Sequence, residues 1–127
     1  MKTNIAFAVI LMLCSAVANA AIHNVPGEYS TIQDAINVSV DGDVVLVADG
    51  VYTGTGNRDI HFEGKDIRVE SVNGPETCII DCQGTVSQPH TGFIFDDGEG
   101  SGAGLVGLTI RNGYAAPGTV TNGGAIN

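Results

Sequence analysis

The chain has 127 residues, with 14 acidic and 5 basic side chains and a formal net charge of -9. This length fits one domain and excludes a multidomain enzyme. Charged residues make up 15% of the chain and hydrophobic residues 43%, which argues against intrinsic disorder, because disordered chains combine low hydrophobicity with high charge. The acidic excess also argues against nucleic acid as a partner, since phosphate groups bind to basic surfaces.

The first twenty residues have the pattern of a secretory signal peptide. Lys2 precedes an almost wholly apolar run over residues 5–13, and Ala18-Asn19-Ala20 matches the small-x-small pattern of a cleavage site. We therefore predict cleavage after Ala20 and export to the cell surface or the medium. The mature chain is then a single domain over residues 21–127. Its sequence has no apolar run long enough to span a bilayer.

A short helix is predicted near the start of the mature chain. Ser30-Thr31-Ile32-Gln33 has the pattern of a capping box, in which the Ser30 hydroxyl accepts from the Gln33 N–H and the Gln33 side chain reaches back. An apolar stripe follows at helical spacing and consists of Ile32, Ala35, Ile36 and Val40. The pattern predicts an amphipathic helix over residues 31–38, whose stripe must be covered by another element.

Beyond residue 40 the pattern changes to short strands, and no further helix is predicted. Asn-Gly and Asp-Gly dipeptides separate the strands and tolerate the positive φ of tight turns. The six strand cores fall into two interleaved sets, which begin at Val44, Ile67 and Phe93 and at Ile60, Ile79 and Leu108. The first set has spacings of 23 and 26 residues and the second of 19 and 29 residues.

This coarse repeat of about two dozen residues predicts a solenoid, in which each coil buries its apolar face against the next. An antiparallel sandwich is the competing interpretation, because Asn-Gly is also a strong hairpin signal. A hairpin needs a strand directly after its turn, whereas Pro75 follows Asn73-Gly74 and Pro117 lies soon after Asn112-Gly113. These turn contexts favour the solenoid.

Several segments resemble right-handed parallel β-helix proteins of the pectin lyase-like superfamily. Residues 29–36 (YSTIQDAI), 41–47 (DGDVVLV) and 50–52 (GVY) are similar to the N-terminal cap of these proteins. Residues 107–113 (GLTIRNG) and 123–126 (GGAI) resemble coils of bacterial surface β-helix proteins and the short repeat of polymorphic outer-membrane proteins. The resemblance extends from about residue 22 to the end. It implies an all-β solenoid, a right-handed parallel β-helix, with the short helix covering its first coil.

The resemblance implies polysaccharide chemistry, because enzymes of the superfamily cleave polyuronides or their esters. Of their motifs only the Asp96-Asp97 pair has a counterpart here, and paired carboxylates need a facing partner and a sugar-binding shell to act as acid and base. With Glu99 the pair could supply oxygen ligands to Ca²⁺, but the spacing matches no calcium loop. We interpret this loop as a solvated turn and assign no catalytic residue, cofactor or metal ion.

The remaining candidates have structural interpretations. Arg68 and Arg111 occupy outward strand positions on different predicted sheets and are expected to pair with neighbouring acids, not to form the basic patch of a lyase. The spacing of His23, His61 and His90 implies neither a metal site nor a catalytic triad.

Cys78 and Cys82 remain in the mature chain, and their pairing is open at this stage. An extended strand places their Cα atoms about 13 Å apart, beyond the roughly 7 Å limit of a disulfide, and makes them small apolar core residues. A turn at Asp81-Cys82 would permit the bridge.

Two functions follow from these observations. The first is a secreted or cell-surface β-helix without catalytic activity, for adhesion, display or carbohydrate binding. The second is the N-terminal part of a pectin-type polysaccharide lyase, hydrolase or esterase. Residues 123–127 resemble the start of another coil, so we expect the domain to continue beyond them, or its open end to associate with another molecule.

Overall fold

A computed structural model describes residues 19–117. Most of the predicted signal peptide and the expected last coil lie outside this range, while Asn19 and Ala20 are exposed and have no regular structure. None of the helices between residues 19 and 117 is both long and apolar enough to cross a membrane. The elements in chain order are β1 (Ile22–Val25), α1 (Ile32–Val38), β2 (Val44–Val47), β3 (Gly50–Tyr52), β4 (Ile60–His61), β5 (Arg68–Ser71), β6 (Cys78–Asp81), β7 (Phe93–Ile94), β8 (Gly104–Val106) and β9 (Thr109–Arg111).

The described strands form three sheets, and every pair of neighbouring strands within them is parallel. The first sheet has the order β1-β2-β5-β8, the second β3-β6-β9 and the third β4-β7. The chain therefore visits the sheets in a fixed sequence, through β2, β3 and β4 and then through β5, β6 and β7. Parallel pairing throughout is incompatible with the antiparallel sandwich, so the fold is β-rich, with parallel strands and one short helix.

The division of the strands into two sets was wrong in part. Val44 and Ile67 do mark neighbouring strands of the first sheet, but Ile60 pairs directly with Phe93 in a third sheet. The physical reason is unequal connections between the sheets. Two residues (48–49) join β2 to β3, but six (72–77) join β5 to β6. Seven residues (53–59) join β3 to β4, but eleven (82–92) join β6 to β7. The strand starts therefore do not recur at a constant spacing, and a single period cannot predict which strands pair.

The N-cap and the first residue of the helix each lie one residue later than predicted. Thr31, not Ser30, is the N-cap, and its hydroxyl accepts from the Asp34 N–H at 3.1 Å. The loop over residues 53–59 sets this start: a Cβ on Gly56 would lie 2.7 Å from the Thr31 hydroxyl oxygen, and the Gly56 carbonyl accepts from the Gln33 N–H at 2.9 Å. The capping-box geometry was wrong because this loop takes the N–H group that Ser30 was expected to bind.

α1 covers one end of the sheets, with contacts to β1, β2 and β4. Its buried residues are Ile32, Ala35 and Ile36, whereas Val40 lies beyond the helix and is exposed. The Gln33 amide contacts the backbone of His61 twice, accepting from its N–H at 2.9 Å and donating to its carbonyl at 3.1 Å. The side chain thus satisfies the edge of β4 as a neighbouring strand would.

The core consists of inward side chains that lie one above another in register. The third sheet contributes the largest of these, since Phe62 and Phe93 are fully buried and the Phe62 ring lies 4.3 Å from the ring of Phe95, centroid to centroid. The other fully buried aliphatic side chains are Val25, Ile32, Ile36, Val45, Val47, Ile60, Ile67, Val69 and Ile80.

Cys78 and Cys82 are both free and fully buried. Cys78 is the first residue of β6 and Cys82 directly follows that strand, so the extended arrangement described above holds and no bridge forms. Burial raises the pKa of each thiol to about 11. The nearby charge of Asp49 further raises the pKa of Cys78, and that of Asp59 further raises the pKa of Cys82.

We expect both thiols to be inert in the folded protein. At pH 8 a thiol of pKa about 11 is roughly 0.1% thiolate, so alkylation should be at least about 100-fold slower than for an exposed cysteine. Mass spectrometry after treatment with iodoacetamide should show no added group on either cysteine in buffer and two in concentrated urea. Rapid labelling of the folded protein would contradict the prediction.

Candidate functional site

A polar groove of about 400 Å³ lies where α1 meets the loops before β4 and β7. A smaller depression of about 200 Å³ adjoins it, and Tyr114 is one of its lining residues. Asp59 and His90 line both and therefore stand between them. The groove is lined by Thr31, Gln33, Asp34, Thr55, Gly56, Arg58, Asp59 and His90.

Asp59 and His90 form a close couple at the centre of this site. The His90 Nδ1 lies 2.6 Å from the Asp59 Oδ2, and the Asp59 Oδ1 accepts from the Thr91 N–H at 2.8 Å. The Asp59 N–H in turn donates to the Thr91 carbonyl at 2.8 Å. Asp59 has a φ of +50°, a left-handed conformation that Asp adopts more readily than most residues. These bonds fix the couple against the backbone of the adjacent loop.

The His90 Nδ1 is the ring nitrogen that binds Asp59, and both residues line the groove. Within residues 19–117, no hydrogen bond joins His90 to a hydroxyl or a thiol. A base of this kind needs a nucleophile or a positioned water to start acyl or glycosyl transfer. The carboxylate and the imidazole of the couple are hydrogen-bonding groups of the groove.

The wall formed by the loop over residues 82–92 is closely packed. A Cβ on Gly84 would lie 2.7 Å from the His90 carbonyl oxygen and 2.8 Å from the Tyr114 nitrogen, so only glycine fits there. The Gly84 N–H donates to the Asn112 carbonyl, and the Tyr114 N–H donates to the His90 carbonyl, each at 2.8 Å. Tyr114 is thereby held beside the couple.

The N-terminus of α1 borders the groove, but its N–H groups are already bound. The Ile32 N–H donates to the Asn57 side chain at 3.1 Å, and those of Gln33 and Asp34 donate to Gly56 and Thr31. These donors are not available to a phosphate or carboxylate, which helix N-termini otherwise attract.

All four basic side chains of the described chain are engaged. Arg68 lies in the first sheet and pairs with Glu70 at 3.1 Å, and Arg111 lies in the second and pairs with Asp81 at 3.0 Å. The expectation that these two arginines lie on different sheets and pair with neighbouring acids is confirmed. Hydrogen bonds from Asn112, and then from Arg111, hold the pKa of Asp81 below its usual range.

The other two cations fix loops to neighbouring elements. The Arg58 Nη1 donates to the Cys82 carbonyl at 3.1 Å. The Lys65 Nζ donates to the carbonyls of Ile36 and Asn37, at 2.7 and 3.0 Å, and so neutralises the C-terminus of α1. Within residues 19–117, every Lys or Arg head group thus has a partner in the chain.

The acidic loop brings the carboxylates of Asp96, Asp97 and Glu99 within 4.8 Å of one another. Both oxygens of Glu99 accept backbone N–H groups, from Gly64 at 3.2 Å and from Asp97 at 3.3 Å. Asp96 lies 3.8 Å from His61, and both side chains are about half exposed. Glu99 thus holds the acidic loop to the turn at Gly64. The acidic loop lies outside the groove.

The central couple of the groove was not predicted from the sequence. His90 was interpreted as structural or exposed, and Asp59 was not considered. The two residues are 31 positions apart in loops of different length, so no local spacing connects them. The pairing of Ile60 with Phe93 brings the two loops together, and no pattern in the sequence indicates this pairing.

Comparison of the chain with known protein families, curated proteins and solved structures gives no significant match. The fold and the groove define the class of the protein. It is a β-rich protein of parallel sheets, with a groove lined by polar residues beside the third sheet.

Proposed function

We propose that the chain is an exported right-handed parallel β-helix that binds a neutral glycan in the groove at Asp59 and His90, without catalysing a reaction. Three parallel sheets visited in a fixed order support the β-helix, and connections between parallel strands are almost always right-handed. The resemblance to the pectin lyase-like superfamily points in the same direction. On this proposal α1 covers the first coil.

The single observation that carries the glycan proposal is the chemistry of the groove. Carboxylate, imidazole and hydroxyl groups line an open depression, and each of them can pair with the hydroxyl groups of a sugar. Tyr114 lines the adjoining depression, and tyrosine rings can pack against the apolar face of a sugar ring. The fixed Asp59–His90 couple reduces the entropy lost on binding.

The charges favour a neutral glycan over a polyuronide. The chain carries a net charge of -9, and Asp34 and Asp59 both line the groove. Its one cation, Arg58, is bound to the Cys82 carbonyl. Arg58 keeps its charge but is outnumbered by the two carboxylates, so a uronate would meet net repulsion. This weighs against the second candidate, the N-terminal part of a pectin-type lyase, hydrolase or esterase.

Export and surface location are part of the same proposal. The predicted signal peptide supports export, and an acidic exterior supports solubility outside the cell. A polysaccharide or another component of a cell surface is then the expected partner.

Calorimetry of the exported protein with a panel of neutral oligosaccharides and with polygalacturonate tests the proposal. We expect a neutral ligand to bind and His90→Ala to weaken its affinity about tenfold, through loss of one or two hydrogen bonds. His61→Ala is the matched control, because His61 is exposed and lies outside the groove. This variant should bind the neutral ligand within about twofold of the affinity of the unaltered protein. Preference for polygalacturonate, or release of unsaturated uronides from pectin, would overturn the proposal.

A further inference from the structure

The carboxylate of Asp43 has three partners, two from the start of the described chain and one from the turn before Asp43. Asp43 lies just before β2 and is only 4% exposed. Its Oδ1 accepts from the Ala21 N–H at 2.9 Å, and its Oδ2 accepts from the Val40 N–H at 3.0 Å and lies 2.9 Å from the His23 Nε2. A buried carboxylate thus faces the backbone nitrogen of Ala21.

Ala21 is the residue that follows the predicted cleavage site. Asn19 and Ala20 before it are exposed and lack regular structure. The Ala21 carbonyl accepts from the Val44 N–H at 2.9 Å and so aligns β1 beside β2. Cleavage after Ala20 would leave β1 and all its partners in place.

We propose that Asp43 is the binding site for the α-ammonium group that processing creates at Ala21. This inference rests on the proposed export but not on the glycan. A host endopeptidase hydrolyses the Ala20–Ala21 peptide bond: water supplies the hydroxyl of the Ala20 carboxyl group and a proton to the Ala21 nitrogen. Ionisation of the new acid gives the second proton, leaving a carboxylate on the released peptide and an ammonium at Ala21.

Processing thereby strengthens a contact that already exists. Before cleavage the Ala21 nitrogen offers one neutral N–H to Asp43, and after cleavage it offers a charged group with three. The carboxylate already makes this bond charge-assisted, and the ammonium adds an opposite charge and further donors to it. Because the contact joins β1 to the turn before β2, the mature chain holds its first strand more firmly than the precursor does.

The charged groups around this contact set its dependence on pH. His23 of β1 shares the Asp43 carboxylate, and Glu28 in the following loop lies within the field of His23. On β5 the Arg68 backbone N–H donates to the Asp43 backbone carbonyl. The Arg68 side chain pairs with Glu70 instead of the Asp43 carboxylate. The α-ammonium therefore faces one carboxylate, Asp43.

The test compares two proteins that both extend to Asn127, one beginning at Ala21 and the other at Asn19. At pH 7 we expect the folding equilibrium constant of the first, from urea unfolding, to be about fivefold larger. An α-amine has an ordinary pKa of about 8, which a carboxylate raises in the folded state. The difference is therefore full between the acid titration of Asp43 and pH 8, and it is lost as the pH rises through the raised value. The two proteins share all titrating side chains, and the longer one carries its α-amine on the exposed Asn19.

Two controls separate the ammonium from chain length and from Asp43 itself. The protein beginning at Ala21 but acetylated on its α-amine should behave like the one beginning at Asn19. In the Asp43→Asn background the two starting points should be equally stable. If that variant does not fold, the stability of the acetylated protein and the pH dependence of the stability difference still test the inference. Equal stability of the two proteins at pH 7 would overturn the inference.

The mass of the exported protein provides an independent readout. A mature N-terminus at Ala21 supports the inference, and any other N-terminus overturns it, whatever the stability measurements show. Failure of glycan binding would leave both readouts unchanged, so the two proposals can fail separately.

Discussion

Replacing Phe62 with alanine is expected to lower the free energy of unfolding by about 3–5 kcal/mol. The side chain is fully buried, and its ring lies 4.3 Å from that of Phe95 and 6.1 Å from that of Phe93. The third sheet has only two described strands, so few neighbours can move in to fill the cavity. Since whole domains are stable by about 5–15 kcal/mol, this single change removes a large fraction of the total.

Urea unfolding followed by circular dichroism measures the effect. Val86→Ala is the control, because Val86 is 77% exposed in the loop before β7 and should change stability by no more than about 0.5 kcal/mol. A loss below about 1 kcal/mol for Phe62→Ala would mean that the three phenylalanines do not form a packed unit.

Replacing Asp43 with alanine is expected to cost about 2–4 kcal/mol at pH 7, because its buried carboxylate accepts from Val40, His23 and Ala21 together. Hydrogen bonds from the Val40 N–H and from His23 hold the pKa of Asp43 below its usual range. This stabilisation is present above the unfolded-state pKa of about 3.9 and is lost as the pH falls through the lower folded-state value.

Unfolding measured between pH 7 and pH 2 checks this sign. The unaltered protein should lose stability steeply in acid, and Asp43→Ala should lose less, with a residual slope from Asp81, whose pKa is also lowered. The exposed Asp97 offers the control variant Asp97→Ala, which should retain the full acid dependence. Parallel pH profiles for Asp43→Ala and the unaltered protein would contradict the assignment.

Local patterns in the sequence predict much of the secondary structure. The apolar stripe from Ile32 predicts α1, because helical periodicity is a property of neighbouring residues. The β-branched run from Val44 predicts β2 in the same way. In contrast β3 and β8 have three residues each and begin with glycine, so they carry too little pattern to be recognised.

The assignment of strands to sheets depends on loops that carry no periodic signal. Ile60 and Phe93 pair across 33 residues, whereas Val44 and Arg68 pair across 24. The groove is hidden for the same reason, since its central couple joins two of these loops. The helix cap was displaced because Gly56, from another loop, binds the N–H that a local motif was expected to satisfy. Long-range contacts of this kind cannot be read from spacing.

The unequal connections have a consequence for how the protein can change. The loop before β7 has eleven residues (82–92) and its counterpart before β4 has seven (53–59), yet β4 and β7 remain in parallel register. Closing the longer loop costs only about 0.4 kcal/mol more in chain entropy. Insertions and deletions in its exposed part, residues 85–89, should be nearly neutral for folding while they reshape the wall of the groove. Ligand preference can therefore evolve, or be engineered, by altering loop length while the stacked strands stay as they are.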